Sequence, residues 1–147
     1  CFAAGEKANL DLRFGGKVSS SGGSPINKRV LVKKIVRNAF QSFGKSFVPM
    51  GDSVCITFDG IEIILNSNRC QTFSTDLFTE LGVNISNKKI LIIKSTNHFH
   101  NSFFPHVSTI IYASIDGVYP NDPKKNKYLN LKRKIWPIVE NPHVKSR

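Results

Sequence analysis

The densest group of side chains able to do chemistry is Lys94-Ser95-Thr96-Asn97-His98-Phe99-His100-Asn101. It places a cation, hydroxyls, amides and two imidazoles in one short stretch. The group follows the apolar run of residues 90–93, and Ser95 or Thr96 can start a helix that continues to Phe104, where Pro105 breaks it. A helix N-terminus offers free N–H groups and a positive dipole end, a setting that suits an anion or a substrate carboxylate. Ligands in strand–helix folds also favour this strand-end position.

His98-x-His100 invites a metal reading, but the spacing argues against it. Residues i and i+2 share a face only on a strand. On a helix they diverge by about 200°, because a turn takes 3.6 residues. No Cys or carboxylate stands nearby at ligand spacing, and zinc sites need three or four convergent ligands. A His98 that caps or bridges a domain interface is the plainer reading. The other chemical signals are weaker. Gly15-Gly16-Lys17 lacks the rest of a phosphate loop and reads as a turn. No serine sits in a Gly-x-Ser-x-Gly elbow. Cys70, next to Arg69, is a candidate for a lowered thiol pKa, without an assignable His partner.

The elements that must position these groups are mostly strands. Residues 8–14 alternate apolar and polar with period two, a half-buried strand, and residues 18–27 are a Ser/Gly-rich loop. Residues 27–40 are rich in β-branched residues and read as a strand, and residues 48–52 as a turn. Asp59-Gly60 between two apolar runs, 54–58 and 61–65, is the strongest hairpin signal. Ser74 or Thr75 can cap a helix to Leu81, with Leu77, Phe78 and Leu81 as its apolar stripe and Gly82 as its stop. Residues 90–93 form a continuous apolar run, the pattern of a strand buried on both faces. A further strand is expected at residues 107–114, and a second turn at Asp116-Gly117. The fold class is α+β, a strand-rich mixed sheet with a few short helices in a single domain over residues 1–147.

Composition bounds the function classes. The chain has 147 residues and is 40% hydrophobic, enough for one ordinary core. Its apolar runs fall far short of the roughly 20 residues needed to span a bilayer. It opens on Cys1 without Met, which suggests a processed chain or a piece of a larger one. Three cysteines without metal-ligand spacing point to a cytoplasmic setting, and Cys55 reads as a small buried hydrophobe. The net charge of +11 is concentrated in residues 28–37 and 124–134. Clustered cations could bind nucleic acid through counterion release. Yet the residues between the first set, Val30, Leu31, Val32, Ile35 and Val36, look like core and not like stacking platforms. A solvated face is the favoured reading, and nucleic acid is not.

Several segments, in order along the chain, resemble the MlrC family. They are Ala4-Gly5 with Phe14-Gly15-Gly16-Lys17, the stretch from Ile63 through Asn68-Arg69-Cys70-Gln71-Thr72-Phe73, and Phe78 with Leu81-Gly82-Val83-Asn84. The stretch Ile92-Ile93-Lys94-Ser95-Thr96-Asn97-His98-Phe99 with Phe103 and Pro105 follows, and Arg133-Lys134-Ile135-Trp136-Pro137-Ile138 closes the series. The chain is similar to the C-terminal domain of that family, named for microcystinase C and regarded as zinc metallopeptidases. The resemblance implies that the zinc ligands, Asp and His residues, lie in a larger N-terminal domain absent from this chain, with no cofactor in this domain itself. It implies that the C-terminal domain packs on that partner and walls the cleft for a peptide or amide substrate, with homo-oligomers left open. The matched motif makes Lys94, Ser95, Asn97, His98 and Arg69 the substrate-cleft candidates. Lys94 and Arg69 would pair with a substrate carboxylate or with acidic residues of the partner domain, and His98 would bond substrate or support the metal site. The chain departs from the family pattern at His100, where Arg is usual, and at Ser74, where Asp is usual. Two other readings compete: a basic module for nucleic acid or another polyanion, and a purely structural or dimerising domain.

Overall fold

A computed structural model of the chain describes residues 1–18, 22–113 and 122–143. These residues form two compact units: Cys1–Phe14 with Ile26–Ile110, and Gly15–Pro25 with Ile111–Arg147.

The first unit is built on a four-stranded sheet in the order β1-β2-β3-β4: β1 Asn9–Phe14, β2 Ile26–Phe43, β3 Ser46–Phe58 and β4 Ile61–Asn66. Every pairing is antiparallel, so the expected mixed sheet is corrected: each strand turns back on its predecessor. The β3–β4 hairpin turns at Asp59 (φ 48°) and Gly60 (φ 77°), the left-handed pair its sequence announces. Period-two alternation then sorts the side chains. Val30, Val32, Val54 and Ile56 pack on one face with Leu10, Leu12, Phe14, Ile63 and Leu65. Cys55 and Ile64 point to the other face.

That second face is covered by α1, Asp76–Glu80, and the turn after it. Leu77 packs with Ala39 and Met50, while Leu81 and Val83 pack with Cys55, and Phe78 touches both groups. Gly82 (φ 69°) ends the helix as expected, letting the Val83 amide donate to the Phe78 carbonyl at 2.8 Å. Thr75 is the N-cap, but its side chain makes no capping bond.

Residues 48–52 are not the turn their Pro and Gly suggest. They lie inside β3, and the turn falls earlier, at Gly44. Pro49 pairs opposite Phe40, and Gly51 (φ 69°) faces a register shift around Asn38 (φ 50°), so Pro and Gly here build a bulge. Asp52 holds the bulge by accepting from the Asn38 amide at 3.1 Å and from the Arg37 guanidinium at 3.4 Å. A Cβ on Gly51 would sit 2.3 Å from Ser67 Oγ and 2.9 Å from Asn68 Oδ1, so the chain after β4 can dock only against glycine.

The largest departures follow residue 88. Residues 90–93 join no sheet, and Ile90 and Ile92 are 77% and 91% exposed. The helix expected from Ser95 or Thr96 begins only at α2, His100–Phe103. It ends at Phe103, with Phe104 as its C-cap, within a residue of the expected stop, and Pro105 sits at the start of a 3-10 turn, Phe104–His106, where its missing N–H costs nothing. The strand expected at 107–114 is absent as far as residue 113, and residue 114 and Asp116-Gly117 lie outside the described residues.

In the second unit, Gly15 and Gly16 both have positive φ, as their turn requires. A Cβ on Gly16 would come within 2.5 Å of the Gly23 carbonyl. Asp122 caps a 3-10 turn, Pro123–Lys125, by accepting from the Lys124 amide, and the Trp136–Pro137 bond is cis.

Candidate functional site

The segments that carry the candidate residues are tied together by one buried amide. Gln41 lies on β2 in line with Ala39 and has no solvent exposure. Its Nε2 donates to the Gln71 carbonyl at 2.7 Å. Its Oε1 accepts from the Phe73 amide at 2.8 Å and from the Ser74 amide at 3.3 Å. The next residue, Ser42, donates from both its amide (2.9 Å) and its hydroxyl to Asp76 Oδ2. These Ser42 bonds outweigh burial and hold the Asp76 carboxyl below its ordinary range. Strand β2 thereby fixes the loop that runs from Arg69 to α1.

That loop in turn holds the polar segment after residue 93. The Thr72 amide donates to the Lys94 carbonyl at 3.2 Å. The Gln71 side-chain oxygen accepts from Ser95 Oγ (3.3 Å), the Thr96 amide (3.4 Å) and Thr96 Oγ1 (3.3 Å). Further along, the Thr75 amide donates to Ser102 Oγ at 3.1 Å.

His98 packs edge-on against two phenylalanines. Its ring lies 5.4 Å from Phe43 and 5.8 Å from Phe73, which contact each other at 4.7 Å. One edge of the imidazole is thus set by apolar neighbours while the residue stays exposed. Lys94, Asn97 and Arg69 are exposed too, and Ser95 is half-buried. The Lys94 and Arg69 cations have no ion-pair partner among the described residues. Lys94, Ser95 and His98 therefore line the 71–73 loop, with Arg69 two residues before it. None of them stands at a helix N-terminus, because the helix starts at His100.

The described residues do not fit a metal. No group of three or more His, Cys, Asp or Glu among the described residues could hold an ion. His98 leans on Phe43 and Phe73, while His100 stacks on Phe104 at 5.3 Å. Nor is Cys70 an activated thiol: burial raises its pKa despite the hydrogen bonds from Gln41 and Asn66. The buried Cys55 thiol is pushed up to about 11 by the same cause.

The family described as "MlrC C-terminus" matches residues 1–130 of the chain. The chain belongs to the MlrC family. Microcystinase C of a Sphingomonas species is 31% identical over 137 residues, covering 93% of this chain and 26% of that protein. A crystal structure from Mesorhizobium sp. BNC1, provisionally assigned as a metallopeptidase, matches with a TM-score of 0.67 at 23% identity over 75% of this chain and 23% of the other. At that identity the likeness establishes the fold. The chain spans about a quarter of the length of these relatives.

In this MlrC domain each cation of the first basic cluster pairs with a carboxylate of the strands or the chain next to them. Lys28 pairs with Asp59 (2.7 Å), Arg29 with Asp11 (3.7 Å), Lys34 with Glu6 (3.6 Å) and Arg37 with Asp52 (3.4 Å). Lys33 pairs with Glu62, which also lies 2.5 Å from Lys88. Burial would raise the Glu62 pKa, but Lys33 and Lys88 together outweigh it and hold the carboxyl low. Each cation of β2 from Lys28 to Arg37 thus faces a carboxylate, a poor surface for a polyanion. The residue that organises the MlrC domain's polar loops, Gln41, went unnoticed in sequence. Its signal was a polar residue in a strand next to the small apolar Ala39, and nothing local said which loop it served.

Proposed function

We propose that this chain is the accessory C-terminal domain of an MlrC-type, zinc-dependent peptidase or amidohydrolase, and that it walls the substrate cleft of a larger catalytic domain. The carrying observation is the Gln41 clamp. It holds the 69–76 loop against β2, and that loop holds the 94–98 segment, so Lys94, Asn97, His98 and Arg69 stand exposed, with Ser95 half-buried, on a fixed frame. A rigid frame under unpaired cations is the arrangement that orients an anionic end group. Lys94 and Arg69 would hold the carboxylate of a peptide, and His98, braced by Phe43 and Phe73, would bond an adjacent amide. Zinc chemistry is assigned to the larger domain, because the described residues gather no group of three or more His, Cys, Asp or Glu that could hold an ion. Because the named relative is a microcystinase, linear peptides with a free carboxylate are the substrates to try first.

The test is steady-state kinetics of the full-length protein with Lys94→Ala and Arg69→Ala. Hydrogen bonds to charged groups contribute about 1.5–3 kcal/mol, so kcat/KM should fall roughly 10- to 150-fold for carboxylate-bearing peptides. Peptides capped as amides should lose much less. Unchanged kcat/KM in folded variants would leave a purely structural role.

A further inference from the structure

Residues 90–93, Ile-Leu-Ile-Ile, are a strand by composition that has no sheet among the described residues. β-branched residues without apolar–polar alternation mark a strand covered on both faces. Here Ile90 is 77% exposed and Ile92 is 91% exposed, while Leu91 and Ile93 are half-buried. Among the described residues, no backbone N–H or C=O from residue 89 to 93 makes a backbone hydrogen bond. Both ends of the run are nevertheless anchored. Upstream, Lys88 is held by Glu62 at 2.5 Å and by its amide's bond to the Ile85 carbonyl, and its backbone leaves that turn extended (φ −99°, ψ 131°). Downstream, the Lys94 carbonyl takes the Thr72 amide.

We infer that residues 90–93 complete a β-sheet of the larger portion of the full-length protein, pairing through their backbone as an inserted strand. This rests on the reading of the chain as an accessory to a larger domain. A bare run of this kind is a template for pairing, and folded proteins cover or blunt such edges. The bulk of both matched relatives lies outside the region they share with this chain, and the run lies inside that region. A second copy of the chain is a poor occupant on charge grounds. A two-fold antiparallel pair centred on the run sets Lys89 opposite Lys94 at both ends, and like charges directly opposite destabilise a sheet. A strand with neutral or acidic residues at those positions meets no such cost.

The experiment is hydrogen–deuterium exchange on the full-length protein at several concentrations, read in peptides covering residues 89–94, beside Ile90→Ser and Ile92→Ser variants followed by thermal unfolding. The expected result is exchange slowed at least about 100-fold against an unstructured reference, independent of protein concentration. Exchange at the unstructured rate, with the serine variants still melting lower, would overturn strand pairing and leave the accessory reading standing. Unstructured exchange with neutral serine variants would remove both. Protection that grows with concentration alongside a dimer would assign the edge to a second copy and overturn the inference.

Discussion

Replacing Gln41 with leucine asks whether one buried amide holds the polar loops in place. Leucine keeps the approximate volume on β2 but can neither donate nor accept. The Phe73 and Ser74 amides then lose their acceptor in a site where Ser74 is buried and Phe73 half-buried. Each buried group left without a partner costs about 1–3 kcal/mol. The Ser74 bond is long at 3.3 Å, and the Gln71 carbonyl belongs to an exposed residue, where water can replace the lost donor. The sum is therefore about 2–4 kcal/mol, well above the ±0.5 kcal/mol of an ordinary surface change. For a chain of this length each kcal/mol shifts Tm by about 3 °C, so Gln41→Leu should lower it by roughly 6–12 °C. Urea unfolding gives the free energy, and hydrogen exchange locates it: the amides of Thr72, Phe73 and Ser74 should exchange faster before global unfolding. An unchanged midpoint with wild-type protection at those amides would refute the clamp.

Two further outcomes follow from named contacts. Gly51→Ala should destabilise by about 2–4 kcal/mol in urea unfolding, because a β-carbon there meets Ser67 Oγ at 2.3 Å on a backbone of φ 69°; a neutral effect would mean that the 67–68 turn is not docked as described. Asp76 has a folded-state pKa lowered from 3.8 by its Ser42 bonds, so its contribution is complete above that value and is lost as pH falls through the depressed one. Asp76→Asn should accordingly flatten the acid limb of a stability–pH curve below about pH 4, and an unchanged limb would contradict the assignment.

What was legible in the sequence was local. Asp59-Gly60 dictates its hairpin because two adjacent positive φ values leave the backbone little choice. The stripe of Leu77, Phe78 and Leu81 dictates the face of α1. Pro49 and Gly51 misled because the same residues that end strands also build bulges, and only the partner strand, with Asn38 at φ 50°, decides between them. The run at 90–93 misled for the opposite reason: its composition asks for neighbours on both edges, and the described residues supply none. The polar stretch that holds Lys94, Ser95 and His98 stands out by residue type, and the family motif makes them candidates, but the frame beneath them is not legible in the sequence. Gln41 acts across 30 or more residues of sequence, a distance over which no spacing rule operates.

The central claim is that His98 and its neighbours face bound substrate in the full-length protein. The most direct measurement places a photo-crosslinking amino acid at position 98 and irradiates with a linear peptide whose scissile amide is reduced, so that it binds without turnover. The account predicts a peptide adduct at position 98 that excess unlabelled substrate removes, and no adduct when the same group is placed at Lys28, which pairs with Asp59 at the β3–β4 turn. Equal labelling at both positions, or none at 98 under saturating peptide, would contradict it.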